Sequence, residues 1–298
     1  MQKIFNPTIL DIIKSSTELL AKKNIANPRL NVELLLCEVM DCDRVKLYLD
    51  FEKPLSKNEL ELYREWFKRR LNHEPLQYIT GHAYFYGYRF KVDENVLIPR
   101  PETEVLVEKV LEDINNYPKE SLNILEIGTG SGCIAISLAK KLNEKKFNEK
   151  TINYNIVAID ISMEALAVAK YNLEKLDPSN DKVSFVEKDI FSVDNFNKDI
   201  DYIISNPPYI PFIEFENLDD EVNKYEPSAS LTDYKDGLTF YKKILELYSN
   251  PVIKGKLFFE IAYNQKENLE NLLKEFPDLM PNFYKDYSDN DRILEVNK

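Results

Sequence analysis

From Leu122 onward, the sequence alternates strand-like segments with helix-like segments. The candidate strands are rich in branched and aromatic residues and cover residues 122–127, 155–160, 183–186, 200–205 and 256–261. The candidate helices cover residues 131–142, 163–176, 237–249 and 264–276. Such alternation is typical of a mostly parallel sheet with helices on both faces. Residues 282–287 and 292–296 have no helix between them, so they predict an antiparallel pair at the end of this α/β sheet.

The first 80 residues predict a small helical bundle. Apolar residues recur there at helical spacing. Asn27 and Pro28 predict a helix with a capping side chain and a proline at its first position. Ser56 and Glu59 have the spacing of a capping box, in which each side chain bonds the backbone N–H of the other residue.

Residues 83–93 change to a strand-like period. Aromatic residues flank Gly87 in near alternation, which predicts a short hairpin that turns at this glycine. We therefore expect a helical domain at 1–80, a β-hairpin linker at 81–95 and an α/β domain at 96–298. The Lys-, Asn- and Glu-rich stretch 143–153 predicts a surface loop.

Charge and composition narrow the classes of partner and site. The chain has 39 Lys and Arg against 51 Asp and Glu, a net charge of −12, whereas proteins that grip long nucleic acids are usually basic. Three cysteines without a C-x-x-C pair and two histidines provide neither a disulfide framework nor a zinc cluster. The N-terminus lacks a signal-peptide pattern, and no apolar run approaches the roughly 20 residues of a membrane span. We expect a cytoplasmic monomer with no metal, no membrane and no direct nucleic-acid partner.

A glycine-rich loop, EIGTGSG at 126–132, follows the first strand of the α/β region. Glycines let a backbone turn tightly and approach a ligand closely, and the helix start that follows presents free N–H groups. The loop departs from the dinucleotide pattern G-x-G-x-x-G, because Cys133 stands where its third glycine would be. It also lacks the G-K-[ST] of a P-loop. Tight packing of a helix on its strand is the purely structural alternative.

Acidic residues follow the next two strands. Asp160 ends the second strand, where a carboxylate can accept hydrogen bonds from both hydroxyls of a ribose. Ser162 predicts the cap of the next helix. Asp189 and Ile190 follow the third strand, where an acid and an apolar wall could recognise an adenine. The alternative for Asp160 is a helix cap, and Asp189 alone is a weak signal.

The segment Asn206-Pro207-Pro208-Tyr209 directly follows the fourth strand. The two prolines fix the chain and remove two N–H donors, which leaves carbonyl oxygens free to accept. The Asn206 oxygen and a neighbouring carbonyl can then accept both hydrogens of a planar –NH2 group, on which Tyr209 can stack. Holding such a nitrogen in line with an electrophilic methyl group lowers the barrier to its attack. The alternative is a proline-rich turn, but the position after a glycine loop and an acidic strand end favours a reactive site.

Together these segments resemble class I S-adenosylmethionine-dependent methyltransferases of planar exocyclic nitrogens, and within them the release-factor glutamine N5-methyltransferases (the HemK/PrmC family). The matching segments lie in the family's order and span most of the chain: EPLQYITG (74–81), VLIPRPETE (96–104), LEIGTGSG (125–132), DIS (160–162), SNPPYI (205–210), YEP (225–227) and DGL (236–238). VLIPRPETE and YEP are more specific to the family than NPPY, which nucleic-acid methyltransferases share. The chain departs from the family at Ala262 and Asp289, where glycine is common.

The resemblance implies a Rossmann-like class I methyltransferase sheet with S-adenosylmethionine over its carboxyl edge and S-adenosylhomocysteine as product. The implied cofactor-binding residues are Glu126, Ile127, Gly128, Thr129 and Gly130 at the methionine end, Asp160 at the ribose, and Asp189 and Ile190 at the adenine. Asn206 is implied as a further cofactor contact.

The implied substrate is the glutamine of a Gly-Gly-Gln motif in a peptide chain release factor, which the helical domain would contact. The implied catalytic residues are Asn206, Pro207 and Tyr209. Further substrate contacts are implied at Pro208, Arg100 and Glu102, the last two at the entrance of the pocket.

Two other functions remain open at this point. A nucleic-acid N6-adenine or N2-guanine methyltransferase could use the same four residues on a flipped base. The net charge of −12 and the lack of an extra target-recognition region argue against it. A non-catalytic protein that binds its partner through the helical bundle is the third hypothesis, and the intact Asn206 and glycine loop argue against that one.

Overall fold

The computed structural model describes residues 7–144, 146–147 and 150–298. The α-helices are α1 (Ile9–Lys22), α2 (Pro28–Val39), α3 (Arg44–Leu49), α4 (Lys57–Leu71), α5 (Leu76–Thr80), α6 (Pro101–Asn116), α7 (Cys133–Glu144), α8 (Met163–Leu176), α9 (Phe212–Phe215), α10 (Asp220–Tyr225), α11 (Thr239–Tyr248) and α12 (Lys266–Leu273). The strands are β1 (His82–Phe85), β2 (Tyr88–Lys91), β3 (Ser121–Ile127), β4 (Lys146–Phe147), β5 (Lys150–Thr151), β6 (Asn153–Asp160), β7 (Val183–Glu187), β8 (Tyr202–Ser205), β9 (Lys256–Glu260), β10 (Met280–Lys285) and β11 (Asp291–Asn297). None of the described helices combines the length and apolar character needed to cross a bilayer.

The chain divides into two compact units. The first comprises Met1–Gly81 together with Asp220–Tyr225, and the second comprises His82–Asp219 and Glu226–Lys298. Helix α10 belongs to the first unit, where the buried Arg70 of α4 pairs with Glu221. The Tyr225 hydroxyl donates to the carbonyl of Asn72 at 2.8 Å. A short segment from late in the chain thus completes a unit built mainly from the first 81 residues.

Local capping explains where the helices of the first unit begin. The predicted capping box at Ser56 and Glu59 is confirmed and opens α4, and Thr8 opens α1 with a second such box. The prediction that the Asn27 side chain caps α2 is wrong. Asn27 has φ 48°, and this left-handed backbone leaves its side chain without a capping hydrogen bond, because such a cap needs an extended backbone. Pro28 does occupy the first helical position, as predicted.

The second unit contains a seven-stranded sheet of order β10-β11-β9-β8-β3-β6-β7. The pairs between β9 and β7 in this order are parallel, whereas β11 is antiparallel to both β9 and β10. This arrangement confirms the predicted fold class. Successive side chains of β8 face opposite cores: Tyr202 and Ile204 pack with α6 and α7, and Ile203 packs with α11 and α12. Because helices cover both faces of the sheet here, three successive residues of β8 are apolar instead of alternating with polar ones.

The predicted hairpin is present as the antiparallel pair of β1 and β2, with Tyr86 and Gly87 at the turn. Both turn residues have positive φ, 52° and 80°, which suits a two-residue hairpin turn. Phe85 and Phe90 are buried in the same core as α6 and α7. The hairpin therefore belongs to the core of the second unit.

The loop predicted over 143–153 is wrong at both ends. Helix α7 continues to Glu144, β4 and β5 form a two-residue antiparallel pair, and β6 already begins at Asn153. Residues 145, 148 and 149 of that prediction lie outside the described residues, as do residues 1–6 of the N-terminal segment.

The two replacements of glycine are accommodated differently. Asp289, in the turn between β10 and β11, has φ 65°, a backbone that Asp tolerates better than most residues. Ala262 is not among the described residues with positive φ, and its N–H donates to the Gln265 side chain at 3.3 Å. Alanine therefore fits this turn without strain.

Gly132, where the glycine loop runs into α7, is required by packing. Its φ is 79°, and an added Cβ would lie 3.0 Å from Ile136 Cδ1, 3.1 Å from Ala169 Cβ and 3.2 Å from Phe185 Cζ. A side chain at this position would meet both an unfavourable backbone and crowded neighbours. The last glycine of the loop thus lets α7 approach α8 and β7 closely.

We expect Gly132→Ala to lower the free energy of unfolding by about 2–4 kcal/mol, because backbone strain and overpacking add. Gly87→Ala is the matched control: Gly87 also has positive φ, but nothing lies within 4 Å of its would-be Cβ, so about 1–2 kcal/mol is expected there. Denaturant unfolding of both variants measures the difference. Equal losses would contradict the packing role of Gly132.

Candidate active site

A cavity of about 500 Å³ opens at the carboxyl ends of β3, β6, β7 and β8. Its volume is within the roughly 300–1,000 Å³ of small-molecule sites. Most of the residues predicted for the site line this one cavity: Arg100, Ile127, Gly128, Thr129, Gly130, Asp160, Asp189, Ile190, Asn206, Pro207 and Pro208. The cavity thus gathers predicted residues that lie as much as 108 positions apart in the sequence, from Arg100 to Pro208.

Three predicted residues do not line the cavity. Glu126 is buried at the end of β3, with 1% of its surface exposed. Tyr209 turns its hydroxyl toward Glu260, to which it donates at 3.4 Å. Glu102 is exposed in the first turn of α6.

The glycine loop is fixed by strand β6. The N–H groups of Gly128 and Thr129 both donate to the carbonyl of Ile159, at 2.9 and 3.1 Å. The Gly130 N–H donates to Asp160 Oδ2 at 2.8 Å. Nothing lies within 4 Å of the position of a Cβ on Gly130, so the loop leaves open space at this residue.

Asp160 is not the cap of α8. Ser162 is that cap, as predicted, because its Oγ accepts from the N–H of Ala165. Asp160 Oδ1 accepts from the Ser162 N–H at 3.0 Å, while Oδ2 accepts from Gly130. Each carboxylate oxygen can accept more than one hydrogen bond, so both retain acceptor capacity toward the cavity.

Glu126 holds the glycine loop and the start of α7 through hydrogen bonds. Its Oε2 accepts from the Thr129 hydroxyl at 2.8 Å and from the Ala135 N–H at 3.2 Å. Its Oε1 is buried without a hydrogen-bond partner among the described residues. Burial raises the pKa of Glu126 to about 8, against the opposing hydrogen bond from Thr129.

The far wall of the cavity combines an acid with apolar side chains. Asp189 Oδ1 accepts from the Phe191 N–H at 2.9 Å, and Ile190 is buried beside it. The rings of Phe191 and Phe240 meet edge to face with centroids 5.1 Å apart, and both line the cavity. The sequence analysis missed these two aromatic residues, although Phe191 directly follows the predicted Asp189 and Ile190.

The Asn206 side chain is held by α6. Its Nδ2 donates to Thr103 Oγ1 at 3.2 Å, and no described group donates a hydrogen bond to its Oδ1. The residue before it, Ser205, is tied to the neighbouring strand, since its hydroxyl donates to the Ile127 carbonyl at 2.9 Å. The amide of Asn206 therefore has a defined position at the cavity wall.

Two buried polar residues beside this segment were not predicted: Thr103, which contacts Asn206, and Glu260, which contacts Tyr209. Thr103 is 3% exposed and Glu260, at the end of β9, is 1% exposed. Burial raises the pKa of Glu260 to about 7, and its Oε2 is buried without a hydrogen-bond partner among the described residues. The signal for Glu260 was the one used for Asp160, an acid that ends an apolar strand; Thr103 gives no comparable signal.

The segments VLIPRPETE and YEP meet through a buried carboxylate. Glu226 Oε2 accepts from the Ile98 N–H at 3.2 Å, and its Oε1 pairs with the cavity-lining Arg100. Glu226 thus fixes the position of Arg100 at the cavity edge.

In the part of the chain that the structure describes, no three His, Cys, Asp or Glu side chains form a group that could hold a metal ion.

Comparison with known proteins gives consistent matches over both units. The family described as PrmC N-terminal domain matches residues 11–81, and the family described as Methyltransferase domain matches residues 118–276. The crystal structure of the hMettl16 catalytic domain in complex with the MAT2A 3′UTR hairpin 1 is 15% identical, with a TM-score of 0.52, and the match covers 82% of this chain and 81% of that one. At this identity the likeness concerns the fold alone.

Closer relatives are found among curated proteins. The release factor glutamine methyltransferase of Chlorobaculum tepidum is 39% identical over 295 residues, which cover 96% of either chain. The release factor glutamine methyltransferase of Fusobacterium nucleatum is 36% identical over 302 residues, which cover all of this chain and 81% of that one. The chain therefore belongs to the family of release factor glutamine methyltransferases, S-adenosylmethionine-dependent enzymes.

Proposed function

We propose that this protein transfers a methyl group from S-adenosylmethionine to the side-chain amide nitrogen (N5) of the glutamine in the Gly-Gly-Gln motif of a peptide chain release factor. One observation carries the proposal: Asn206, Pro207 and Pro208 line the same cavity as the glycine loop and Asp160. A site for a planar amide and a site for a nucleoside thus share one wall. The family's named activity supports the choice of a glutamine amide.

The residues of the cavity fit S-adenosylmethionine. Glu126 does not line the cavity, but it holds the glycine loop that does, through Thr129, and its Oε1 is buried without a hydrogen-bond partner among the described residues; buried polar atoms of this kind call for a partner such as a bound ligand or water. Gly130 leaves open space at the loop, and Asp160 retains acceptor capacity. Glu126, with the loop residues Ile127, Gly128, Thr129 and Gly130, would hold the methionine end. Asp160 would hold the ribose, and Asp189 and Ile190 would hold the adenine.

When bound, S-adenosylmethionine supplies an electrophilic methyl group on a positively charged sulfur. The chain's own part is to aim a poor nucleophile at that group. The Asn206 Oδ1 and the Pro207 carbonyl would accept both hydrogens of the glutamine –NH2, which orients the nitrogen and polarises its N–H bonds. No strong base is required, because the proton can leave after the nitrogen has formed its new bond.

The other predicted substrate contacts have distinct positions. Tyr209 does not line the cavity and its hydroxyl is engaged by Glu260, so only its ring is left for the substrate contact that the family resemblance implies. Pro208 would pack against the amide from the cavity wall. Arg100, anchored by Glu226, and the exposed Glu102 would contact the release factor near the entrance, and the helical first unit would bind it elsewhere.

The deciding experiment incubates the protein with methyl-labelled cofactor, a bacterial release factor and adenine-containing DNA, and locates the label by mass spectrometry. We expect the label on the glutamine of the Gly-Gly-Gln peptide. Asn206→Ala should lower kcat at least about 100-fold, because orientation and polarisation of the amide are lost together.

Calorimetry with S-adenosylhomocysteine provides the control for Asn206→Ala. Its dissociation constant should stay within about threefold of the wild-type value, a difference of less than 1 kcal/mol. Label on DNA would contradict the proposed substrate. A comparable loss of S-adenosylhomocysteine affinity would contradict the role assigned to Asn206.

Asp160→Ala should weaken S-adenosylhomocysteine binding at least tenfold, or about 1.4 kcal/mol or more. Two acceptors for the ribose and the bond to the Gly130 N–H are lost together. Ser162→Ala is the control, because it removes the α8 cap next to Asp160 but leaves the carboxylate. An unchanged dissociation constant in Asp160→Ala, measured by calorimetry, would refute the ribose contact.

A further inference from the structure

We propose that an exposed apolar surface next to the cavity is a docking surface for the release factor. Phe212, Ile213 and Tyr234 make up this surface, the apolar patch. Its occupant is a segment of the release factor that carries an apolar side chain with basic residues beside it. The inference rests on the proposed function, because it concerns the protein whose glutamine enters the cavity. It adds residues that bind this protein outside the cavity.

The three side chains of the apolar patch are exposed although they are large and mainly apolar. Ile213 is 75% exposed, Tyr234 54% and Phe212 39%. The rings of Phe212 and Tyr234 lie together with centroids 5.9 Å apart, and the ring of Phe215 stacks on Phe212 at 6.3 Å. Single exposed apolar residues are common, whereas a contiguous group of them marks an interaction surface.

The apolar patch is connected to the cavity wall along two segments of the chain. Pro208 lines the cavity, and the chain reaches Phe212 four residues later. Ala229 also lines the cavity, and the hydroxyl of its neighbour Ser228 lies 2.7 Å from that of Tyr234. A release factor is far larger than this cavity, so it has to cover the surrounding surface when its glutamine is inside.

Hydrogen bonds and close packing fix the patch relative to the cavity-lining residues. The Phe212 N–H donates to the Lys235 carbonyl at 2.9 Å. The buried Gln265 donates to the carbonyls of Tyr209 and Gly237, at 3.3 and 3.0 Å. Gly237 lies so close that an added Cβ would be 2.2 Å from the Tyr209 oxygen. The segment that carries Tyr234 is thus held against the segment that follows the two prolines.

Tyr234 has a strained backbone. Its φ is 57°, which is an outlier for a bulky residue. The neighbouring Asp233 holds this turn, because its Oδ1 accepts from the N–H groups of Lys235 and Gly237 at 2.8 and 2.9 Å. Strain of this kind is concentrated at functional sites. Here it places an aromatic ring on the surface, where glycine or asparagine would suit the backbone better but supply no ring.

Acidic residues next to the apolar patch indicate the charge of its occupant. Glu214, Glu216 and Asp219 are exposed and follow Ile213 closely. The stretch 212–219 contains neither Lys nor Arg. Charges of opposite sign across an interface favour encounter, and like charges oppose it. A segment with an apolar side chain and basic neighbours therefore matches this surface.

The first test is Ile213→Ser, measured with a bacterial release factor and with the protein saturated with S-adenosylhomocysteine. We expect the dissociation constant of the release factor to rise about fivefold or more, because apolar burial is lost. KM for methylation should rise with it, while kcat stays within about twofold of wild type. Val252→Ser is the matched control. Val252 is also branched and is 52% exposed, but it precedes the amino end of β9, away from the cavity, so all three values should be unchanged.

Tyr234→Asn provides a second variant. Asparagine tolerates a left-handed backbone, so we expect an unchanged fold and an unchanged dissociation constant for S-adenosylhomocysteine. The dissociation constant of the release factor should rise about threefold or more, because an aromatic contact is lost. Raising the salt concentration from about 50 to 500 mM should weaken release-factor binding by wild type, since salt screens the acidic residues. Binding that is independent of salt would contradict a basic occupant.

Two results would overturn the inference while the proposed function stands. One is equal release-factor affinity in wild type, Ile213→Ser and Tyr234→Asn, with the glutamine still methylated. The other is a wild-type dimer that Ile213→Ser converts to a monomer in sedimentation experiments without a change in KM, which would assign the patch to a second copy of this chain. A wild-type protein that leaves the glutamine unmethylated would overturn the proposed function and this inference with it.

Discussion

The candidate active site depends on the parallel pairing of β8 between β3 and β9. In this register, Ser205 lies opposite Ile127 on one side and Phe259 on the other, so three strands end at the same edge. The residues that follow them are then neighbours: the glycine loop after β3, Asn206 after β8, and Glu260 at the end of β9. A shift of β8 by one residue would exchange its two faces and move Asn206 away from Thr103.

The same edge of the sheet carries two kinds of polar group: those that line the cavity, and two buried acids next to the cavity-lining segments. Most of the polar groups that line the cavity lie at the strand ends or in the loops beyond them, whereas Glu126 and Glu260 are strand acids that are almost fully buried. Burial makes their charged forms costly, which appears as the raised pKa of each. Such perturbed carboxyls concentrate at functional sites, and here both lie directly beneath segments assigned to ligands.

Much of this architecture could be predicted from local sequence, because strand and helix periods are local properties. The helix over Met163–Leu176 and the antiparallel end of the sheet are examples, as are the caps at Ser56 and Ser162. The failures have tertiary or backbone causes. Asparagine is a common helix cap, but the backbone of Asn27 is left-handed, so its side chain makes no capping bond. Helix α7 extends to Glu144, into the region that was expected to be a loop. Thr103 escaped notice because its contact is with Asn206, 103 positions further along the chain, and no local pattern records such a contact.

The two hydrogen bonds that Asp160 accepts from the Gly130 and Ser162 N–H groups have a thermodynamic consequence. The bond from Gly130, together with those from Gly128 and Thr129 to the Ile159 carbonyl, fixes the glycine loop within the fold itself. The backbone entropy that a flexible loop would lose on binding is therefore given up during folding. A ligand that binds at this wall would meet a main chain whose shape is already set. Association should accordingly be rapid and need little rearrangement of the main chain.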